Sequence, residues 1–245
     1  MKESVFALRR ARRLAGGVWE LVLAGDTSAV TAPGQFVNLE LPGKFLRRPI
    51  SICDWGAGEL TLLVKEAGEG TRELVRLPAG TELNVLSGLG NGFDIARMAE
   101  DAVLVGGGIG IAPLYGLAKR VLETGRKPAL VLGFRSGAEA FYLEEFAALG
   151  LEIRTATEDG SLGARGFVTD VLKGLPDFRY VLACGPTAML KAVHALPRIT
   201  GGQFSFEARM ACGFGACVGC TIQTKKGLRR VCKDGPVFHK EDILW

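Results

Sequence analysis

Apolar and polar positions follow two different patterns along this chain. Before residue 102, short apolar or alternating runs at 18–23, 36–41 and 60–65 are separated by turn signals rich in glycine and proline. Runs of this kind predict antiparallel strands, and their close spacing predicts a small β-barrel. One short helix is expected at 71–76, directly after a glycine-containing turn.

From residue 102 onward, apolar strand runs alternate with helical stretches. Strands are predicted at 102–105, 129–134, 152–155 and 180–183, and helices are predicted to end near 124 and to span 138–149 and 167–173. This alternation predicts a doubly wound, mostly parallel sheet. The expected fold class is β + α/β, with an antiparallel barrel at 1–97, an α/β domain at 98–203 and a small cysteine-rich domain at 204–245.

Composition and charge narrow the class of protein. The 245 residues are 48% hydrophobic and carry a formal net charge of +4. These values are typical of a globular protein, and so small a charge does not indicate a nucleic-acid partner. The most basic segment contains Arg9, Arg10, Arg12 and Arg13, which we interpret as a solvated strand or turn face.

Neither a targeting segment nor a membrane span is expected. No apolar segment follows the first residues as a signal peptide would require, and the longest uncharged stretch, 102–118, is too short to cross a membrane. Six cysteines, four of them close together, are more typical of a reducing compartment than of a disulfide scaffold. We therefore expect a cytoplasmic protein with no membrane partner.

Four of the six cysteines lie near the C-terminus, at Cys212, Cys217, Cys220 and Cys232. The spacing is C-x4-C-x2-C with the fourth cysteine after eleven further residues, which is typical of plant-type iron–sulfur proteins. Glycines between the cysteines allow the tight turns that bring backbone N–H groups to sulfur atoms. The pattern predicts a [2Fe–2S] cluster. A zinc site, which usually has two C-x2-C pairs, and a plain packing or disulfide role are the alternatives.

Two features of the N-terminal part indicate an anionic ligand. The segment 47–52, Arg-Arg-Pro-Ile-Ser-Ile, places two guanidinium groups and a hydroxyl in an otherwise apolar strand. The turn Gly68-x-Gly70-Thr71 then opens a helix, where backbone N–H groups bind anions. A surface arginine pair and a simple helix cap explain each feature alone about as well. Together on one barrel, they predict the pyrophosphate site of a flavin dinucleotide.

Two glycine turns in the α/β part follow predicted strands. The loop 106–113 begins like G-x-G-x-x-G but has Ile111 at the third glycine position, and a Cys-Gly-Pro turn occupies 184–186. Ligands of such sheets bind at the carboxyl ends of strands, so the two turns predict a nicotinamide dinucleotide site, although each alone also fits a tight strand-to-helix turn. NAD and NADP both remain open, because no acidic residue follows the second strand and Arg135 there favours a 2′-phosphate.

Taken in their order along the chain, the flavin motifs, the nicotinamide motifs and the cysteine run resemble those of the ferredoxin-NADP reductase superfamily. The segments that carry the resemblance are 48–51, 68–71, 106–113 and 184–186. The cysteine run and the segment 88–93 resemble, more narrowly, the electron-transfer subunits of class 1B dihydroorotate dehydrogenases, which use NAD. The resemblance covers essentially the whole chain, and the cysteine run is its most specific part.

The resemblance implies three sets of binding residues. For FAD it implies Arg48, Pro49, Ile50, Ser51, Leu63, Val64, Lys65, Gly70 and Thr71. For the nicotinamide cofactor it implies Gly106, Gly107, Gly108, Ile109, Gly110, Cys184, Gly185 and Pro186. Cys184 would lie near the nicotinamide ring. For the [2Fe–2S] cluster it implies the four C-terminal cysteines.

The resemblance also implies a function. Electrons would pass from the FMN of a catalytic partner subunit, in a heterotetramer of two plus two, through the cluster and FAD to NAD+ during pyrimidine biosynthesis. No residue of this chain is expected to act as a general acid or base. Two alternatives stay open: a related reductase subunit that serves a ferredoxin, a hydrogenase or a glutamate synthase-like partner, and a non-redox scaffold that binds zinc.

Overall fold

The structure, a computed structural model, describes residues 1–245. Six antiparallel strands in the first part of the chain close into a barrel: β1 (Lys2–Ala15), β2 (Val18–Ala24), β3 (Phe36–Leu39), β4 (Arg48–Gly56), β5 (Glu59–Lys65) and β6 (Glu82–Leu89). Their order around the barrel is β1-β2-β5-β4-β3-β6, and a short helix, α1 (Glu69–Leu74), follows β5. The predicted barrel is confirmed.

Alternation of buried and more exposed side chains explains why these segments form strands. Every second residue of β6 is buried, and β1 contributes Phe6 and Leu8 to the same core. The four arginines predicted to lie on a solvated face belong to β1 and are exposed. The basic segment is therefore the outer face of a barrel strand.

Two boundaries in the barrel differ from those predicted. Strand β3 ends at Leu39 and not at 41, because Leu41 begins a turn in which its carbonyl accepts the N–H of Lys44 at 3.1 Å. Helix α1 begins two residues earlier than predicted. The Thr71 hydroxyl accepts the N–H groups of Ala67 and Gly68 at 2.9 and 3.1 Å, so Thr71 lies inside the first turn.

The second part of the chain forms a seven-stranded sheet and a separate hairpin. The strands are β7 (Val103–Gly107), β8 (Ala129–Phe134), β9 (Ile153–Thr157), β10 (Ala164–Arg165), β11 (Tyr180–Cys184), β12 (Gly201–Ser205), β13 (Thr221–Thr224), β14 (Gly227–Arg230) and β15 (Val237–His239). The sheet order is β10-β9-β8-β7-β11-β12-β15, and β13 pairs with β14. All neighbours in the sheet are parallel except β12 and β15, which confirms the mostly parallel arrangement.

Five helices accompany these strands. They are α2 (Ala112–Glu123), α3 (Leu143–Ala148), α4 (Val168–Lys173), α5 (Thr187–His194) and α6 (Val231–Asp234). The single helix predicted at 138–149 is wrong: a 3₁₀ turn at Gly137–Glu139 precedes α3, and Tyr142 between them has a left-handed backbone with φ 64°. A residue in that conformation interrupts any continuous right-handed helix. None of the helices is both long and apolar enough to cross a membrane.

The C-terminal segment contributes to the large sheet through β15. It is also tied to the barrel, because the Asn91 side chain donates to the carbonyl oxygens of Asp234 and Val237, each at 3.1 Å. The boundary predicted between 203 and 204 falls inside β12. The three domain ranges stay a prediction.

The barrel and the sheet meet around one buried carboxylate. Glu20 of β2 is 4% exposed and accepts hydrogen bonds from the Tyr142 hydroxyl at 2.9 Å and from two arginines of β1 at 2.8 and 3.1 Å. These donors offset the cost of burying the charge. Nearby, α2 packs so closely on β4 that a Cβ at Gly116 would lie 2.6 Å from the carbonyl oxygen of Cys53. Both contacts fix the barrel against the sheet.

Removal of the Tyr142 hydroxyl tests this junction. Tyr142→Phe should lower the free energy of unfolding by about 2 kcal/mol, because the buried Glu20 carboxylate loses one charge-assisted hydrogen bond. Tyr115→Phe is the matched control, since the Tyr115 ring packs edge-on against Tyr142 with centroids 5.1 Å apart but its hydroxyl has no hydrogen-bond partner. Urea unfolding followed by circular dichroism measures both variants. Equal unfolding midpoints would contradict the role given to Glu20.

Candidate functional site

Two elements bring the four C-terminal cysteines together. The loop between β12 and β13 carries Cys212, Cys217 and Cys220, and α6 carries Cys232. The N–H of Cys217 donates to Sγ of Cys212, and the N–H of Cys232 donates to Sγ of Cys220, each at 3.4 Å. All four are free thiols, and Cys217 is exposed. The predicted ligands therefore lie as two adjacent pairs.

Electrostatics in the loop favour a metal ligand. Burial alone would raise the pKa of Cys212, but backbone N–H groups of the loop outweigh it and lower that pKa to about 6. Burial, followed by the neighbouring sulfur atoms of Cys220 and Cys212, raises the pKa of Cys232 to about 12. Thiolates crowded in this way repel one another, and bound iron would remove the repulsion.

The backbone of the loop fits a two-iron cluster. Gly213 and Gly215 have φ of +77° and +93°, which glycine adopts without strain, and both turns direct N–H groups toward the sulfur atoms. A [2Fe–2S] cluster divides four cysteines between two irons, which matches the two pairs.

A barrel residue holds the cysteine loop in place. Asn38 of β3 is 1% exposed, and its Nδ2 donates to the carbonyl oxygen of Cys212 at 3.1 Å. A Cβ at Gly213 would lie 2.5 Å from the same Nδ2, so the loop and the barrel are in close contact. The pairing of β3 with β4 puts Asn38 opposite Pro49, which places the cysteine loop beside the predicted flavin strand.

Asn38 is a site residue that the sequence does not reveal, because a single asparagine in an apolar strand carries no signal. Its Oδ1 is buried and has no hydrogen-bond partner in the protein. Buried polar atoms are nearly always satisfied in native proteins. Asn38 Oδ1 is an exception to this rule.

The Arg48 guanidinium lies against Gly70 in the first turn of α1. A Cβ at Gly70 would lie 2.8 Å from Cζ of Arg48, so the guanidinium is in direct contact with the backbone there. Pro49 and Ile50 are half-buried and Ser51 is exposed, which leaves this stretch of β4 open to a ligand. A guanidinium beside a turn rich in backbone N–H groups suits a phosphate. FAD binding by these residues stays a prediction.

Arg47, the neighbouring arginine, has a structural role. Its guanidinium donates to the carboxylates of Glu3 and Glu40, each at 2.7 Å, and to Oδ1 of Asn84 at 2.8 Å. These contacts occupy its donors within the barrel. Arg48 makes one such bond, to the carbonyl oxygen of Leu46, so its remaining donors are the ones that this motif offers to a phosphate.

The last three residues of β5 before α1 are Leu63, Val64 and Lys65. The side chains of Leu63 and Val64 are buried in two different hydrophobic cores, so only their backbone atoms are available to a ligand. Lys65 is exposed and lines the cavity at the carboxyl ends of the parallel strands, which is described next. Contacts of the three residues with FAD stay a prediction.

A cavity of ≈ 490 Å³ opens at the carboxyl ends of the parallel strands. Its walls include Gly107, Gly108 and Ile109 after β7, Pro186 after β11, and Lys65 of the barrel. Doubly wound sheets bind dinucleotides in this position, where the strand order reverses between β7 and β11. Part of the predicted nicotinamide set therefore shares one cavity.

The other glycines of that set lie behind the cavity wall. A Cβ at Gly110 would lie 2.5 Å from the backbone N and Cα of Gly185, and a Cβ at Gly106 would lie 2.9 Å from the Ile111 side chain. Neither glycine lines the cavity. Gly110 lets the two strand-to-helix turns pack against each other, and Gly106 leaves room for the Ile111 and Leu114 side chains.

Cys184 is a buried thiol at the end of β11. Burial, and then the carboxylate of Glu207, raise the pKa of Cys184 to about 12, although a hydrogen bond with Ser205 opposes them. The thiol is therefore protonated at neutral pH. Burial raises the pKa of Glu207, and the charge of Lys65 opposes that rise. In the sequence, Glu207 is simply the first residue of the cysteine run, and no motif indicates a role for it.

Substitution of Gly110 tests the contact between the two turns. Gly110→Ala should lower the free energy of unfolding by about 1–3 kcal/mol, because the new Cβ meets backbone atoms that cannot rotate away. Gly56→Ala is the matched control, since a Cβ there has no neighbour within 4 Å. Thermal unfolding of both variants measures the difference. Equal melting temperatures would show that the turns are not closely packed.

Two parts of the chain match known protein families. Residues 207–244 match the iron–sulfur cluster binding domain of dihydroorotate dehydrogenase B. Residues 104–195 match the oxidoreductase NAD-binding domain. The first match favours iron and sulfur over zinc as the ligand of the four cysteines.

The chain is also similar to known proteins along nearly its whole length. It is 43% identical over 242 residues, covering 94% of both chains, to the dihydroorotate dehydrogenase B (NAD(+)) electron transfer subunit of Listeria monocytogenes serovar 1/2a. It is 42% identical to the protein of the same name from Shouchella clausii, covering 99% of this chain and 98% of that protein.

A solved structure shares the architecture of the whole chain. An NADH-dependent reduced ferredoxin-NADP oxidoreductase, studied for flavin-based electron bifurcation, aligns with a TM-score of 0.90 at 30% identity, covering 99% of this chain and 90% of that one. Barrel, sheet and cysteine loop are all included in an alignment of this extent. The chain therefore belongs to the family of electron transfer subunits of NAD-dependent dihydroorotate dehydrogenase B.

Proposed function

We propose that this chain passes electrons from the FMN of a catalytic dihydroorotate dehydrogenase subunit to NAD+, by way of a [2Fe–2S] cluster and FAD. One observation carries the proposal: the loop of Cys212 is bonded to Asn38, which lies opposite Pro49 in the strand assigned to FAD. At Lys65 the same barrel borders the cavity assigned to the nicotinamide. The order of the three sites supports a relay from the cysteine loop through the barrel to the cavity.

The residues of this chain bind and position the cofactors. Bound FAD exchanges single electrons with a cluster and a hydride with a nicotinamide, so it joins one-electron to two-electron transfer. Arg48 and the turn at Gly70 hold the FAD phosphates. The glycines of the loop after β7 let a nicotinamide dinucleotide approach the backbone closely. No side chain of this chain needs to transfer a proton.

The cysteine loop is the proposed contact surface for the catalytic subunit. Cys217 is exposed, and the apolar side chains of Phe214 and Val218 near it are 45% and 60% exposed. Exposed apolar side chains around a redox centre favour contact with another protein. The proposed assembly, which follows from the family resemblance, is a heterotetramer with two copies of each subunit.

One observation favours a second candidate function. The solved structure that aligns with a TM-score of 0.90 is a ferredoxin-NADP oxidoreductase, so a related reductase subunit that serves a ferredoxin-linked partner would have the same architecture. Purification of the native complex from its host distinguishes the two. Recovery of an FMN-containing dihydroorotate dehydrogenase subunit supports the first proposal, and recovery of a ferredoxin or hydrogenase without it supports the second.

We also propose a cytoplasmic location and the domain ranges 1–97, 98–203 and 204–245. All six cysteines are free thiols, which supports a reducing compartment. The change from barrel to parallel sheet occurs between β6 and β7, and the iron–sulfur match begins at 207. The first position supports the boundary between 97 and 98, and the second lies close to the boundary between 203 and 204, which falls inside β12.

Substitution of one cluster ligand tests the relay. Cys217→Ala should lose the iron–sulfur absorbance and electron transfer from the catalytic subunit, because three thiolates do not complete the cluster. NADH should still reduce bound FAD, since the cavity and β4 are unchanged. Leu228→Ala, at a 69% exposed position of β14, is the control and should keep both activities. Full dihydroorotate-to-NAD activity in Cys217→Ala would reject the relay.

Substitution of Arg48 tests the FAD site. Arg48→Ala should weaken FAD binding by roughly 10- to 100-fold, because the phosphates lose a charge-assisted hydrogen bond. Arg72→Ala, at an exposed position of α1, is the control and should bind FAD normally. Quenching of flavin fluorescence during titration of the apoprotein gives both dissociation constants. Equal FAD affinity in the two variants would place the phosphates elsewhere.

A further inference from the structure

An ion pair forms part of the cavity wall beside the end of β8. Arg135 and Glu139 make two contacts, Nη2 to Oε1 at 2.9 Å and Nε to Oε2 at 3.2 Å. Both residues line the cavity. Paired contacts of this kind occupy the edge of the guanidinium that would otherwise bind a phosphate. Arg135 is therefore paired with a residue of its own chain, although its side chain is 69% exposed.

The surroundings of this pair are acidic. Glu158, at the end of β9, lines the same cavity, and its N–H donates to the carbonyl oxygen of Phe134 at 3.3 Å, which holds it beside β8. Lys65 is the only other cation among the lining residues, and it belongs to the barrel. Where β8 and β9 end, the cavity thus presents two carboxylates and one guanidinium that is already paired.

We infer that Glu139 makes this site select NAD over NADP. The two cofactors differ at the adenosine ribose, where NAD has a 2′-hydroxyl and NADP has a 2′-phosphate. A carboxylate accepts a hydrogen bond from the hydroxyl but repels the phosphate. The inference deepens the function proposed above and rests on its assignment of the nicotinamide cofactor to this cavity.

The pair also explains why Arg135 does not make this an NADP site. In the sequence alone, an arginine after the second strand favours a 2′-phosphate. Glu139 follows four residues later, across the 3₁₀ turn, and binds the guanidinium. The pair is partly exposed and therefore weak enough to open. A phosphate that displaced Glu139 would still face that carboxylate and Glu158, so selectivity also comes from repulsion.

Adenylate fragments test the inference without any electron transfer. The fragment 5′-AMP carries the adenosine of NAD, and 2′,5′-ADP carries that of NADP. Calorimetric titration of the full-length protein, loaded with FAD and cluster, gives a dissociation constant for each. In Glu139→Gln, Arg135 is free, so 2′,5′-ADP should gain about tenfold in affinity relative to 5′-AMP.

The chain offers a matched control outside the cavity. Glu152 forms a similar pair with Arg154 at 2.8 Å, and neither residue lines the cavity. Glu152→Gln removes the same charge and should leave the ratio of the two dissociation constants unchanged. Addition of Arg135→Gln to Glu139→Gln should reduce the gain to the part that comes from the lost repulsion, because the phosphate then has no cation to bind.

Each outcome decides the inference. Should Glu139→Gln fail to fold, Glu139→Lys replaces it and should change the ratio in the same direction by at least as much. An unchanged ratio in the folded variant, or a gain that is undiminished without Arg135, overturns the inference. Failure of the wild-type protein to bind 5′-AMP would instead reject the cavity as the nucleotide site, and the inference with it.

Discussion

The hydrogen bond from Asn38 to the carbonyl oxygen of Cys212 is the contact on which the proposed relay depends. The bond joins the loop that carries three of the cluster ligands to a barrel strand, and that strand pairs with the strand assigned to FAD. Because Asn38 is 1% exposed, loss of its partner would leave a buried amide unsatisfied, at a cost of about 1–3 kcal/mol. Loop and barrel are in direct contact at Gly213, where a Cβ would collide with the Asn38 side chain. The fold thereby positions the cluster against the flavin site.

A second junction fixes the flavin site against the nicotinamide site. Glu20 receives hydrogen bonds from its own barrel and from Tyr142 of the α/β part, and Gly116 of α2 touches the backbone of β4. Strand β4 carries Arg48, and α2 begins directly after the glycine loop of the cavity. Movement of either element would therefore displace one cofactor relative to the other. We propose that the chain acts through placement, by contributing binding, orientation and electrostatics to its cofactors.

Local patterns in the sequence were sufficient to predict much of the fold and of the candidate site. Apolar positions that repeat over a few residues predict the strands. Closely spaced cysteines predict metal ligands because a short loop brings them together. Contacts between distant segments supply the rest. Asn38 acquires a role only beside Cys212, and Tyr142 interrupts the predicted helix where its hydroxyl reaches the barrel. Arg135 favours NADP in the sequence alone, and its ion pair with Glu139 is a contact that the sequence does not reveal.

Addition of NADH to the isolated chain is the most direct test of the central claim that its three sites form one relay. The protein is loaded with FAD, iron and sulfide under argon and kept without its catalytic partner. Flavin absorbance and the electron paramagnetic resonance spectrum are then recorded together as NADH is added. The relay predicts that the signal of a reduced [2Fe–2S] cluster appears as the flavin absorbance falls. A flavin that is fully reduced while the cluster stays oxidised would contradict it.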